Sequence, residues 1–179
     1  PLRSKRKYKK IIEIVKGAIE GIPENDLENT PVHVFGITGN FIPMLAYLGV
    51  DSFDSSSYIQ SARRLSYIDP VTMQNQSIYE LEELKCDCRI CRKADLFEMQ
   101  KALASNTSFK PVYTGKYKSE YYASIALHNL EVDFQTLEKT RKAIKADDTA
   151  SVIIEQMEKE PHIKEAVEWL SREDPKLRS

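Results

Sequence analysis

Six consecutive residues, CDCRIC from Cys86 to Cys91, hold every cysteine of this 179-residue chain. The spacing Cys86-x-Cys88-x2-Cys91 puts three thiolates on one tight loop, where they can converge on a single ion. Zinc takes four tetrahedral ligands, so a fourth must come from elsewhere. Three histidines are available. His33 falls in an apolar run that reads as a strand, and His162 lies beside a proline in a charged tail. His128, in SIALHNLE, sits inside a long helical stretch that can hold its ring toward the loop. A Cys3His set with all four positions filled is closed and structural, and leaves no position for substrate or water. Three buried or reactive thiols without a metal are the plainer alternative. An iron–sulfur cluster, which normally takes four cysteines, is a minor one. CxCxxC with a histidine downstream, in an otherwise cysteine-free chain, favours zinc.

The elements that must carry these residues can be read from periodicity. Residues 5–20 place apolar side chains at Ile11, Ile12, Ile14, Val15, Ala18 and Ile19, an amphipathic helix that Gly21 and Pro23 stop. The short run VHVFG, with Val32, Val34 and Phe35, predicts a buried strand. FIPMLAYLG then predicts a helix ending at Gly49, and VDSFD a second strand. Strand, short helix, strand is the smallest sign of parallel βα architecture. From there to about residue 84 the chain reads as more loop than regular element. A helix is expected over 93–104, a Pro/Gly-punctuated loop over SNTSFKPVYTGKY, and a long helix from about Ser119 to Ala146. The tail from Asp148 to Leu170 is helical in pattern, interrupted near Pro161.

Charged residues make up 30% of the chain and hydrophobic ones 41%, an ordinary balance for a soluble globular protein. A formal net charge of -1 gives no global basic field that would announce nucleic acid. The basic run RSKRKYKK reads as a solvated helix face. No apolar run approaches the roughly 20 residues of a membrane span, and no signal-peptide pattern is present. An odd cysteine count argues against a disulfide framework and suits a reducing compartment, so a cytoplasmic location is expected. The chain begins at Pro1 rather than at methionine, which is read as a sign of processing or of a longer parent.

Two separated motifs agree on a family. GVDSFDSSSY, then CDCRIC, then LHNL resembles the tRNA-guanine transglycosylase family over roughly residues 30–145. In that family the last barrel strand ends in a Phe-Asp pair whose aspartate is the nucleophile, and a CxCxxC loop with a helical histidine binds structural zinc. The resemblance implies that Asp54 is the catalytic nucleophile and that Cys86, Cys88, Cys91 and His128 hold Zn2+. VHVFGITG looks like the preceding barrel strand and its glycine-containing loop. The implied fold is α/β: the last strands of a (β/α)8 TIM-type barrel over residues 1–84, and a mainly helical zinc-binding subdomain over 85–179. The implied reaction exchanges a guanine in tRNA for a 7-deazaguanine through a covalent aspartyl-glycosyl intermediate.

The chain also departs from the family pattern. Ser55-Ser56-Ser57-Tyr58 replaces the Pro-Thr-Arg type segment of bacterial members, which looks like the archaeal branch or the branch acting on DNA. The gap between Cys91 and His128 is longer than the family's usual one. A complete barrel takes about 250 residues, so a fragment or one chain of a split protein is expected, inactive alone and associated with a missing N-terminal half or with another copy. The base-recognition residues and a second catalytic aspartate belong to earlier strands, so nothing here matches them. Asp51, three residues before Asp54, reads as a structural or capping group, because strand side chains alternate faces. For Arg63 and Arg64, phosphate contact and a solvated surface pair remain level alternatives. Tyr58 and Tyr67 can stack on unpaired bases, with core packing the plainer use. Two other functions stay open: the same exchange on DNA, and a non-catalytic zinc-binding subunit that binds RNA or a catalytic partner.

Overall fold

Ile11, Ile12 and Val15 fall on one side of a helical repeat, and they become the buried stripe of α1 (Tyr8–Glu20). In the computed structural model, which describes residues 8–37, 39–104, 118–172 and 174–177, the chain is mixed α/β and mostly helical. It divides into two compact units, Pro1–Ser55 with Thr136–Ser179, and Ser56–Gln135. Compactness thus places the divisions after residues 55 and 135, whereas the motifs divide the chain after residue 84. A long helix, α6 (Lys118–Lys145), gives its first part to the second unit and its last part to the first.

In the first unit a single helical turn, α2 (Glu24–Leu27), leads to β1 (His33–Phe35), which pairs in parallel with β2 (Ser52–Asp54), with His33 opposite Ser52, Val34 opposite Phe53 and Phe35 opposite Asp54. The short helix α3 (Ile42–Tyr47) connects them, and Gly49, with φ +93, supplies the left-handed residue that ends it. Alternation sorts the side chains of both strands. Val34 and Phe53 pack on Ile11, Val15, Leu45 and Val50, while His33, Phe35, Ser52 and Asp54 are exposed. A second cluster joins Ile12 and Met44 to Ile153 of α7 (Thr149–Lys159) and to Ile163, Ala166, Val167 and Leu170 of α8 (Pro161–Leu170). Tyr47 donates a hydrogen bond to Asp174, tying α3 to the end of the chain.

The second unit adds to one expectation. Residues 55–84, read as more loop than regular element, also hold α4 (Ser57–Arg63) and an antiparallel hairpin of β3 (Ser66–Ile68) and β4 (Asn75–Ser77). Three-residue strands are too short to show alternation, and Asn-Gln-Ser has no apolar side chain to show. The hairpin turn contains no glycine. Met73 takes φ +59 there, and buried Asp69 organises it, its Oδ1 accepting the amides of Val71 (2.8 Å) and Thr72 (2.9 Å). Burial alone would push the Asp69 carboxyl up. The Thr72 and Val71 amides, the Thr72 hydroxyl and the Lys85 ammonium outweigh it and hold the group below the usual carboxylate range.

The helix expected over 93–104 is α5 (Leu96–Ala104), later by one turn because Asp95 caps it, its Oδ1 accepting the Glu98 amide at 2.9 Å. The loop expected over SNTSFKPVYTGKY lies outside the described residues, as does the start of the first predicted helix. The expected helices at 119–146 and in the tail are α6, α7 and α8. None of the described helices is long and apolar enough to cross a membrane.

Asn129 of α6 is fully buried and spends its whole amide on the second unit's backbone. Its Oδ1 accepts from the Ile68 amide (2.9 Å), and its Nδ2 donates to the carbonyls of Ser66 (3.0 Å) and Tyr58 (3.2 Å). Truncation to alanine removes all three bonds, the one to the Ile68 amide buried and the other two part-buried. Asn129→Ala should therefore lower unfolding free energy by about 3 kcal/mol, read from denaturant melts.

Glu155 of α7 is pinned by Lys139 of α6 and by Lys159 on its own helix, which together hold its carboxyl down at about 2. A depressed carboxylate stabilises the fold above its unfolded value, and that contribution disappears as pH falls through the folded one. All three side chains are partly exposed, so Glu155→Gln should cost no more than about 1 kcal/mol at pH 7. The gap between parent and variant should close between about pH 4 and pH 2, measured by denaturant melts across that range.

Candidate metal centre and carboxylate face

The Cys86–Cys91 loop lies between the hairpin and α5, and all three sulfurs are buried and free of disulfides. It is turned tightly. The Cys91 amide lies 3.4 Å from the Cys88 sulfur, and the Arg92 amide donates to the Cys88 carbonyl at 3.1 Å. His128, one residue before Asn129 on α6, is 1% exposed and meets this loop. Its Nδ1 lies 3.3 Å from the Cys91 sulfur and 3.7 Å from the Cys88 sulfur. The ligand atoms of Cys86, Cys88, Cys91 and His128 all lie within 4.8 Å of one another.

Those separations suit a tetrahedral site, where zinc bond lengths put sulfur about 3.6 Å from nitrogen and about 3.8 Å from sulfur. The ring is also in the right tautomer. His128 Nε2 donates to the Ile68 carbonyl at 2.8 Å, so the proton sits on Nε2 and Nδ1 keeps a bare lone pair. Burial lowers the His128 pKa, which keeps the ring neutral and able to ligate. Tyr67 stacks flat on the imidazole, with ring centres 3.8 Å apart and planes 5° from parallel, and fixes its plane. Burial pushes the Cys91 thiol up to about 12, with Cys88 beside it adding to the rise, and burial raises Cys86 as well. Buried thiols that resist ionisation, as Cys86 and Cys91 do, need a cation beside them to be held as thiolates. The donor set and its geometry fit a metal ion.

A cleft of about 590 Å³ opens beside the loop, lined by Lys85, Arg89, Arg92, Asp87 and Glu131 among others. Arg89 and Arg92 are both exposed. Sequence reasoning passed over these arginines, although their place inside and just after the CxCxxC run was the available signal.

Asp54 stands elsewhere, in the first unit, at the C-terminal end of β2. Its side chain is 64% exposed, and its Oδ1 accepts the Gly36 amide at 3.0 Å. Gly36 has φ +73, a conformation open to glycine, and that turn aims the amide at the carboxylate. His33 shares the face: Nδ1 lies 2.8 Å from the Ser52 hydroxyl and Nε2 lies 3.8 Å from Asp54 Oδ1. Asp51, just before β2, accepts the Val32 amide at 2.7 Å and joins the two strands from their other end.

Arg63 and Arg64 end α4 in the second unit, and both are exposed. Tyr58, on the first turn of α4, is half-buried against that unit's core, and Tyr67 is fully buried. The structure therefore assembles Cys86, Cys88, Cys91 and His128 into one group. Asp54 belongs to the first unit, and Tyr58, Arg63 and Arg64 to the second.

Comparison with known proteins agrees with the motifs. The family profile described as Queuine tRNA-ribosyltransferase matches residues 2–162. Among curated relatives, the tRNA-guanine(15) transglycosylase of Saccharolobus solfataricus is 29% identical, over 99% of this chain and 33% of its own length. The proteins of the same name from Thermococcus onnurineus and Pyrococcus furiosus are each 28% identical, over 91% of this chain and 25% of theirs. The chain thus spans between a quarter and a third of the length of these relatives. With the profile covering nearly all of the sequence, the chain belongs to the queuine tRNA-ribosyltransferase family.

Proposed function

We propose that this chain is a C-terminal portion of a guanine transglycosylase, with β1, α3 and β2 as the last strands and crossover of a TIM-type barrel. The family match over residues 2–162 carries this reading. The relatives' names point to guanine 15 of tRNA as the base exchanged, and favour tRNA over DNA. Asp54 sits where such a barrel places catalytic groups, at the C-terminal end of a strand. In the reaction an Asp54 carboxylate oxygen gives an electron pair to the ribose C1′. The C1′–N9 bond breaks and its pair leaves with guanine, which takes up one proton from solvent. The incoming 7-deazaguanine attacks C1′ from the vacated side through its ring nitrogen, releases that nitrogen's proton to solvent, and returns the ester pair to Asp54. Configuration is retained.

In this reading the chain alone is inactive, since the base pocket belongs to earlier strands. It works in the cytoplasm, joined to the rest of the barrel or to a second copy. Arg63, Arg64 and Tyr58 contact the RNA. Zinc held by Cys86, Cys88, Cys91 and His128 supplies folding free energy and no step of the reaction. A second reading, a non-catalytic zinc-binding subunit for RNA or a catalytic partner, draws on the short span relative to the relatives and on exposed Arg89 and Arg92.

Elemental analysis should find one zinc per chain, lost in Cys88→Ser. Chelation should sharply increase proteolysis within Ser56–Gln135, the unit whose core includes the three cysteines. Purified protein without metal, yet equally resistant to protease, would refute the zinc assignment.

For the chemistry, Asp54→Asn in the complete protein should abolish a covalent enzyme–tRNA adduct trapped without incoming base, at unchanged zinc content and tRNA affinity. Amide and carboxylate are nearly the same size, so the loss falls on bond formation. Survival of the adduct would exclude Asp54 as nucleophile. Failure of any adduct to form in the parent protein, with RNA still bound, would favour the subunit reading.

A further inference from the structure

The exposed face of β1 and β2 treats the two oxygens of Asp54 differently. Oδ1 accepts the Gly36 amide at 3.0 Å and faces His33 Nε2 at 3.8 Å. Among the described residues, Oδ2 has no hydrogen-bond or ion-pair partner. His33 is itself fixed, its Nδ1 lying 2.8 Å from the Ser52 hydroxyl, and its ring edge-on to Phe35 with centres 4.3 Å apart. The strand register makes this grouping obligatory. His33 pairs with Ser52 and Phe35 with Asp54, and alternation puts all four on one face.

Electrostatics selects the tautomer. A bare Nε2 lone pair aimed at a carboxylate is repulsive, whereas an Nε2–H is attractive, so the proton belongs on Nε2. Nδ1 then accepts from the Ser52 hydroxyl, which rotates to donate. At 3.8 Å the Nε2–H is poised rather than bonded, and contacts of this kind commonly tighten when substrate arrives.

We propose that His33 is a positioning residue for Asp54: with the Gly36 amide it commits Oδ1 to the protein, leaving Oδ2 as the oxygen that attacks C1′. This rests on the reading of Asp54 as nucleophile. An oxygen already accepting a hydrogen bond is the poorer nucleophile, and a carboxylate held at one oxygen cannot swing away from its target. Ser52 has a role one step further out, setting the tautomer of His33.

The test compares His33→Asn and His33→Gln with the parent, in the complete protein, by single-turnover formation of the trapped adduct with an unmodified tRNA transcript. Asparagine reaches only as far as Nδ1 and keeps the Ser52 contact alone. Glutamine carries an amide N–H near the position of Nε2 and can still donate to Asp54. His33→Asn should form adduct about tenfold to a hundredfold more slowly, with tRNA affinity and thermal melt unchanged, and His33→Gln should recover most of the rate. Parent-like rates in both variants, with Asp54→Asn forming no adduct, would overturn the role of His33 and leave the nucleophile standing. Equal loss in both would also overturn it, because the glutamine donor would then count for nothing. An adduct that survives Asp54→Asn overturns both together.

Discussion

Ile68 gives both of its backbone groups to two consecutive residues of one helix, and the second unit depends on that exchange. Its carbonyl takes the Nε2 proton of His128, and its amide is taken by Oδ1 of Asn129. A strand residue that meets a helix this way cannot slide along it by one position without losing both bonds. The register of α6 against the hairpin is therefore set by polar groups in a fully buried place, where an unpaired one costs about 1–3 kcal/mol. The geometry of the candidate metal centre follows from this. The bond that fixes the helix also fixes which imidazole nitrogen faces the cysteines.

The first unit solves a different problem, holding a carboxylate at the surface rather than a ring in the core. Three-residue strands give little hydrogen bonding of their own, and two aspartates reinforce the pair from opposite ends. Asp51 takes the amide of Val32 and Asp54 that of Gly36. The apolar layer beneath, Val34 and Phe53 over Leu45 and Val50, keeps the strands flat on the helices. It also forces the polar residues outward together. A displacement of one residue in β2 would bury Asp54 and expose Phe53.

What could be read from the sequence was whatever has a period or a spacing. The amphipathic stripe of α1, the two apolar runs flanking α3 and the long α6 all announce themselves, as does the run of three cysteines. The hairpin does not, since Ser-Tyr-Ile and Asn-Gln-Ser show no alternation and the turn lacks the usual Gly signal. Asn129 falls within LHNL and Tyr67 reads as a stacking or core residue, but the partner of the first lies 61 residues away and the role of the second belongs to the packing of a ring. Such roles exist only after folding. The pairing of His33 with Asp54 is of the same kind, created by strand register rather than by separation along the chain.

His128 lies 37 residues beyond Cys91, whereas the three sulfurs are neighbours. The two halves of the ligand set thus assemble on different length scales. The cysteine loop can gather its thiols through local turns alone, but the histidine must be brought back by ring closure. The entropy of closing such a ring grows only with the logarithm of its length, roughly 0.6 kcal/mol for each doubling in a flexible segment. By this measure a change of loop length between Cys91 and His128 costs little, whereas one within the six residues of the cysteine run is severely penalised. A lineage can lengthen that intervening stretch and keep the same four donors.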